Sequence, residues 1–208
     1  EAFSLLLEGP LDPERLRAAA QRLMERQPSL RTGIEAGAGG LRQRVHDRVE
    51  LPWRYHDRPV SEPDPELDQP FDLSRPPLLR LELTRLASER HLLRVVIHHI
   101  ITDGSSHAIF LRELLALHAD RPLPPLPLHY SDYAVWQRQA RGWLAGQEAY
   151  WRERFATPPR PLELPTDFPR PRVQAFSGHS HRFVLDPELT AALRGLQPAS
   201  GATTYTTL

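Results

Sequence analysis

The chain has 208 residues, enough for one substantial hydrophobic core, and its 26 acidic and 26 basic residues cancel, so no basic excess is present to recruit nucleic acid. It lacks cysteine and its basic residues are all arginine, which excludes disulfides, thiolate catalysis, cysteine metal sites and Schiff-base chemistry on a lysine. No apolar run approaches the ~20 residues that span a bilayer and no signal peptide is recognisable, so we expect a cytoplasmic protein without membrane contact.

A strand and a helix are predicted at the start of the chain. The strand is indicated by alternating apolar residues, Phe3, Leu5 and Leu7. Asp12 is the expected N-cap of the helix, with Pro13 at its first position. The helix buries a stripe of apolar residues three or four positions apart: Leu16, Ala20 and Leu23.

In the middle of the chain, the sequence pattern predicts two hairpins. Their strands are expected at residues 30–35, 41–46, 78–86 and 91–98. Residues 49–55 are predicted to extend the sheet, and the proline-rich stretch 59–77 is predicted to be a surface loop. The second strand of the second hairpin therefore carries a histidine at its end.

A histidine pair is the most informative feature. His98 and His99 close this apolar strand, and Asp103 and Gly104 follow before a predicted helix at 105–118. Because successive strand side chains point to opposite faces, we expect the two histidines to have different roles. One is a plausible general base; the alternative is a core histidine with satisfied ring nitrogens.

In the second half of the chain, the sequence predicts two connectors, one strand and two helices. Residues 122–127 and 158–171 are rich in proline, and the first is expected to be a rigid strap or, alternatively, a ligand for an aromatic groove. A helix starting near Ser131 is expected to bury an aromatic stripe containing Tyr133, Trp136, Ala140 and Trp143. Residues 178–185 predict a strand, and residues 187–196 a helix capped by Asp186.

Other kinds of site are disfavoured. His99, Asp103 and His107 have a spacing that suggests metal ligands, but they are predicted on different elements, so no metal site is expected. Ser105 and Ser106 invite a serine-hydrolase interpretation, yet the chain has no Gly-x-Ser-x-Gly elbow and no phosphate-binding glycine loop.

Four segments carry a resemblance to a known family. Residues 98–104 match His-His-x-x-x-Asp-Gly, the motif of acyltransferases similar to chloramphenicol acetyltransferase. Three others resemble motifs of condensation domains from nonribosomal peptide synthetases, in the expected order: 26–32, 70–80 and 130–136, the last followed by Tyr150-Trp151. Gln27 and Pro28 depart from the family's "RHExLRT" pattern, in which histidine and glutamate are usual.

The resemblance implies a fold and a domain organisation. It implies an α/β fold, an α+β two-layer sandwich in which helices cover a mixed, largely antiparallel sheet, as in a chloramphenicol acetyltransferase-like lobe. Other family motifs would lie before residue 1 and after residue 208. We therefore expect residues 1–165 to be the N-terminal lobe of a condensation domain, and 166–208 to be a connector and the start of an incomplete second lobe. Such a portion is expected to be inactive by itself.

The resemblance also implies an activity. It is acyl transfer that forms an amide bond between a carrier-bound aminoacyl or peptidyl thioester and a carrier-bound aminoacyl acceptor. His99 matches the family's catalytic position. Supporting roles fall to His98, Asp103, Gly104 and Arg31. Asp103 is expected to be buried and paired with Arg31 or with an arginine of the second lobe, and Gly104 is expected to permit a tight turn. The candidates for the substrate tunnel are Ser105, Ser106, Tyr130 and Trp136.

Partners follow from the same resemblance. No cofactor or metal is expected to bind directly, because the substrates arrive on the phosphopantetheine of peptidyl or aminoacyl carrier proteins. The other expected partners are the second lobe and an adjacent adenylation domain. Two alternatives stay open: an epimerization-type enzyme, which shares the histidine motif, and a noncatalytic relative that serves as a docking platform for carrier proteins.

Overall fold

A computed structural model describes residues 1–59, 66–175 and 178–207. The chain forms two compact units, Glu1–Arg154 and Phe155–Leu208. None of the helices in the described part of the chain is long and apolar enough to cross a membrane. The lobe boundary expected near residue 165 stays a prediction.

The first unit contains one strand and one helix, then five consecutive strands, then three helices. Its strands are β1 (Ala2–Glu8), β2 (Thr32–Gly37), β3 (Gly40–Val45), β4 (Trp53–His56), β5 (Leu79–Ala87) and β6 (Arg90–Ile97). Its helices are α1 (Pro13–Arg26), α2 (Gly104–His118), α3 (Tyr130–Gln139) and α4 (Arg141–Arg154), with a 3-10 turn at Pro28–Arg31. The second unit contains α5 (Pro187–Ser200) and α6 (Thr204–Thr207).

The central sheet has the strand order β1-β6-β5-β4. β6 pairs antiparallel with both β1 and β5, whereas β4 runs parallel to β5. In this register Val95 lies between Phe3 and Leu81. The sheet is therefore mixed and largely antiparallel, as predicted.

Helices α1 and α2 supply the second layer. The core combines the apolar stripes of both helices with alternate residues of the two central strands: Leu16, Leu23, Leu79, Leu81, Leu83, Leu93, Val95, Ile97, Phe110 and Leu114. Each fully buried side chain of this size contributes about 1.5–3 kcal/mol. The sequence prediction for α1 is confirmed, including its cap: Asp12 Oδ1 accepts hydrogen bonds from the backbone nitrogens of Glu14 (2.9 Å) and Arg15 (3.3 Å).

The predicted hairpin is confirmed as β2–β3, and it forms a two-stranded sheet separate from the central sheet. The loop before β5 packs tightly against it. The backbone nitrogen of Ile34 donates to the carbonyl of Leu73 (2.7 Å). A Cβ atom on Gly33 would lie 3.0 Å from Pro76 Cδ and 3.1 Å from the carbonyl oxygen of Ser74, so this close approach favours glycine. The hairpin and the loop are thereby held together.

Two sequence predictions about secondary structure are wrong. β6 ends at Ile97, so His98 and His99 lie in a turn rather than on the strand. Residues 178–185 have no regular structure, and Phe183 and Val184 are 72% and 94% exposed. An alternating pattern becomes a strand only with a partner edge, and none of the described residues pairs with this segment. The helix capped by Asp186 is confirmed as α5.

The aromatic stripe of α3 is not part of the core. Tyr133 and Trp136 are about half exposed, and their rings contact each other at a tilt of 37° with 5.7 Å between centroids. The prediction that the first unit buries them is therefore wrong. The described residues of this unit supply no apolar surface that covers them. The predictions for the side chain of Trp143 and for residues 60–65 of the loop lie outside the described residues.

Candidate active site

The turn between β6 and α2 forms one wall of a cleft of ≈ 330 Å³. The 3-10 turn, the β2–β3 hairpin and the start of α3 form the other walls. The cleft is lined by Ser29, Thr32, Ile34, Gln43, Ser106, Tyr130 and the turn residues 99–103. The candidate catalytic histidine therefore lies on the cleft surface.

His98 is a structural member of the turn. Its backbone nitrogen donates to the carbonyl of Leu78 (2.9 Å), and its Nδ1 accepts a hydrogen bond from the backbone nitrogen of Ile100 (3.0 Å). The ring contacts Phe71 edge-on, with 6.1 Å between ring centroids. These contacts hold the backbone and the ring of His98 within the fold, and His98 does not line the cleft.

Arg80 braces the side of the turn that carries His98. Its guanidinium donates to the carbonyls of Leu67 (3.0 Å), Gln69 (2.5 Å) and Pro70 (3.3 Å). The same group lies 3.9 Å from the ring centroid of Phe71, a cation–π contact. The brace gives a physical role to the segment 70–80, which the sequence analysis assigned only by resemblance.

His99 is oriented by a backbone carbonyl. Its Nδ1–H donates to the oxygen of Thr102 (2.8 Å), so the neutral imidazole carries its free lone pair on Nε2. The hydrogen bond to Thr102 raises the pKa of His99, and its own backbone carbonyl and the carboxylate of Glu1 raise it further. The side chain is 65% exposed. The ring is thus fixed in orientation and open to a ligand.

The carboxylate of Glu1 lies between two imidazoles. Its Oε1 is 3.1 Å from Nε2 of His99, and its Oε2 is 3.0 Å from Nε2 of His107. The buried Nε2 of His107 has no hydrogen-bond partner among the described residues, so its contact with Glu1 is electrostatic rather than an aligned hydrogen bond. The ring of His107 also packs against Phe3, at 4.8 Å between centroids.

Asp103 has a different role from the one expected. It is exposed and caps α2, with Oδ1 accepting from the backbone nitrogen (2.8 Å) and Oγ (2.7 Å) of Ser106. These hydrogen bonds, the hydroxyl first, hold the pKa of Asp103 below its usual range. The predicted buried carboxylate is wrong for this chain. Gly104 does not need glycine for the turn, since it lies outside the left-handed region and nothing surrounds its Cβ position.

Arg31 does not pair with Asp103, so that prediction is wrong. Its guanidinium instead donates to backbone carbonyls: those of Met24 (3.1 Å) and Glu25 (3.2 Å), at the end of α1, and those of His46 and Asp47, after β3. Arg31 thus ties the helix to the hairpin that lines the cleft. Pairing of Asp103 with an arginine outside this chain stays a prediction.

A second cleft of ≈ 350 Å³ adjoins the first. Ser106 and Tyr130 line both clefts, whereas Ser105 and Trp136 line neither. Glu113 and Gln27 line the second cleft, where Glu113 accepts hydrogen bonds from Arg26 Nε (3.2 Å) and Gln27 Nε2 (2.8 Å). Gln27, a departure from the family pattern, therefore supports the same carboxylate as Arg26.

The described residues contain no group of three or more histidine, cysteine, aspartate or glutamate side chains arranged to hold a metal ion. The sequence indicated His107 only as a metal ligand, and Glu1 was not identified as a site residue. His107 comes near His99 because α2 follows the turn directly, whereas Glu1 comes there through long-range pairing: its backbone nitrogen donates to the carbonyl of Ile97 (2.9 Å). The one signal in the sequence for the role of His107 beside Glu1 is that a polar residue occupies this position in an otherwise apolar helix pattern.

Comparisons with known proteins agree on one family. A family model described as "Condensation domain" matches residues 1–208. Tyrocidine synthase 2 of Brevibacillus parabrevis is 40% identical over 213 residues, covering 98% of this chain and 6% of that protein. Gramicidin S synthase 2 of Aneurinibacillus migulanus is 39% identical over 212 residues, covering 98% of this chain and 5% of that protein.

The fold agrees as well. A solved structure titled "Complex of the X-domain and OxyB from Teicoplanin Biosynthesis" matches with a TM-score of 0.79 and 30% identity, covering 98% of this chain and 48% of that chain. The chain thus spans less than a tenth of those two synthases and about half of the solved chain. The predicted chloramphenicol acetyltransferase-like fold is confirmed. Since the family model covers the whole sequence, this chain belongs to the condensation domain family of nonribosomal peptide synthetases.

Proposed function

We propose that this chain carries the catalytic histidine of a condensation domain that forms amide bonds in nonribosomal peptide biosynthesis. An aminoacyl or peptidyl group passes from a carrier-protein thioester to the amine of a carrier-bound aminoacyl acceptor. The new bond joins the amine nitrogen to the thioester carbonyl carbon, and the carbon–sulfur bond breaks. The amine loses one proton and the leaving thiolate gains one, so the reaction needs no cofactor.

The observation that carries this proposal is the orientation of His99. The carbonyl of Thr102 holds Nδ1, so Nε2 is the nitrogen that exchanges a proton at the cleft. Unprotonated, Nε2 accepts a proton from the attacking amine; protonated, it donates a hydrogen bond to the tetrahedral oxyanion. Ser106 and Tyr130 line the same cleft and are our candidates for substrate contacts.

The remaining parts of the proposal concern a longer protein. The exposed aromatic face of α3 and the 48% coverage of the solved chain support a second lobe that completes the substrate tunnel. The substrates arrive on the phosphopantetheine of carrier proteins, and an adenylation domain is adjacent. We place this machinery in the cytoplasm.

The test is the His99→Ala substitution in the complete domain. Mass spectrometry measures the product that forms from two loaded carrier proteins. The expected loss is ~10²- to 10⁴-fold, as is typical for general acid–base catalysis. The matched control is His46→Ala, because His46 is a partly buried histidine that does not line the cleft. Undiminished product from a folded His99→Ala domain would overturn the assignment.

A second candidate function is a platform that binds a partner protein. One observation favours it: the matching X-domain was solved as a complex with OxyB. In that case the His99→Ala variant would retain the biological output, while substitutions on the partner-binding surface would abolish it. The complete histidine motif at 98–104 favours catalysis.

A further inference from the structure

The Glu1 carboxylate is the only carboxylate at ion-pair distance from His99 among the described residues. It approaches Nε2, the nitrogen that the contact with Thr102 leaves for chemistry. A neutral imidazole would present the lone pair of Nε2 to a carboxylate oxygen, which is repulsive. A protonated imidazole donates from both nitrogens, so the arrangement favours the imidazolium.

Glu1 is in turn held by α2. Its second oxygen contacts Nε2 of His107, a buried nitrogen with no hydrogen-bond partner in the described part of the chain. Packing of the His107 ring on Phe3 of β1, two residues after Glu1, fixes the ring beside the carboxylate. The carboxylate is thus positioned by a strand and a helix.

We propose that Glu1 is a positioning residue that orients His99 and governs its protonation, with His107 as the anchor of Glu1. The titratable and charged groups that face His99 are the carboxylate and terminal ammonium group of Glu1, immediately before β1, Asp103 at the N-cap of α2, and His107 within α2. The effect of Glu1 on the rate of amide formation rests on the function proposed above. The effect of Glu1 on the protonation of the His99 ring does not.

The experiment is an NMR titration of the histidine side chains in this 208-residue chain. A methionine placed before Glu1 moves the terminal ammonium group away by one residue. Glu1→Gln is expected to shift the titration midpoint of His99 to lower pH. The matched control is Glu8→Gln, at the far end of β1, where the carboxylate contacts Arg90 (3.7 Å). The control is expected to leave the midpoint unchanged.

The anchor is tested by a double-mutant cycle with His107→Phe, which keeps an aromatic ring against Phe3. The shift caused by Glu1→Gln is expected to be smaller in the His107→Phe background. The shift of the His99 midpoint caused by Glu1→Gln is also expected to be smaller in 1 M salt, where the screening length is ~3 Å. A His99 midpoint that Glu1→Gln leaves unchanged would overturn the proposal, and an equal shift in both backgrounds would overturn the anchor.

The activity readout separates this proposal from the proposed function. In the complete domain, the limb of the pH–rate profile that belongs to His99 should move to lower pH in Glu1→Gln, parallel to the NMR midpoint. A shifted midpoint with an unchanged profile would support the role of Glu1 and contradict the catalytic role of His99. An unchanged midpoint contradicts the role of Glu1, whatever the rate.

Discussion

Arg26 and Glu113 form an ion pair that joins α1 to α2 at the second cleft, with 3.2 Å between Nε and Oε2. Their side chains are 17% and 5% exposed. Arg26 also donates to the carbonyl of Pro124 (2.6 Å), so the pair fixes the proline-rich connector as well. One buried carboxylate therefore holds three segments of the first unit.

Glu113→Gln is expected to destabilise the chain by about 3 kcal/mol, because breaking a buried pair leaves Arg26 without its counter-charge. Urea unfolding measures the loss. The control is Glu14→Gln, which breaks an exposed pair with Arg17 (3.5 Å) on the surface of α1 and should cost less than ~1 kcal/mol. Equal losses in the two variants would contradict the structural role of Glu113.

Asp103→Ala is expected to lower the melting temperature by about 2–4 °C, the effect of losing a helix cap in a chain of this size. Asp103→Ser should recover most of the loss, because serine also caps helices. The pKa of Asp103 is lowered in the folded chain, so its stabilisation is present above the unfolded pKa and fades as the pH falls. A serine variant no more stable than the alanine variant would exclude the cap.

His99 should make a pH-dependent contribution of the opposite sign. Its pKa is raised in the folded chain, so the stabilisation is full below the unfolded pKa and is lost as the pH rises through the folded pKa. The difference in stability between wild type and His99→Gln is therefore expected to shrink as the pH rises from about 5 to about 9, in unfolding experiments at low salt. A difference that grows with pH would show that the folded state favours the neutral ring.

Arg80→Lys is expected to loosen the loop at 66–71, because an ammonium group cannot reproduce the fork that reaches three carbonyls. Amide hydrogen exchange should accelerate in this loop and at Ile100, whose nitrogen donates to His98. Arg75→Lys, at an exposed pair with Asp72, is the control and should leave exchange unchanged. Identical exchange in both variants would disprove the brace.

The 208-residue chain by itself is expected to form no detectable condensation product, even when folded. It supplies the histidine wall of a tunnel whose opposite wall belongs to the proposed second lobe. Alignment of reactants is worth ~7–11 kcal/mol of the barrier, and an open cleft forfeits much of it. The carrier-protein assay decides the matter: turnover near that of the complete domain would show that one lobe suffices.

The sequence predicted the elements whose determinants are local. α1 and α5 carry an aspartate cap and a proline within a few residues, so their starts were found correctly. The strand predicted at residues 178–185 is wrong because an alternating apolar pattern gives no information about whether a partner strand is present. In the site, the motif at 98–104 contains His99, and Ser106 follows it two residues later, so both were predicted from one short segment. Glu1 was missed because only the pairing of β1 with β6 brings it there.

The contact chain from Arg80 through Phe71 to His98 has a consequence for protein engineering. The histidine turn is seated on a loop that lies more than twenty residues earlier in the sequence, so residues 98–104 are a poor unit for grafting between synthetases. A chimaera that exchanges the turn alone separates His98 from the Phe71 and Arg80 with which it is packed, next to the histidine that we propose to be catalytic. Boundaries for domain exchange should therefore keep segment 66–104 intact.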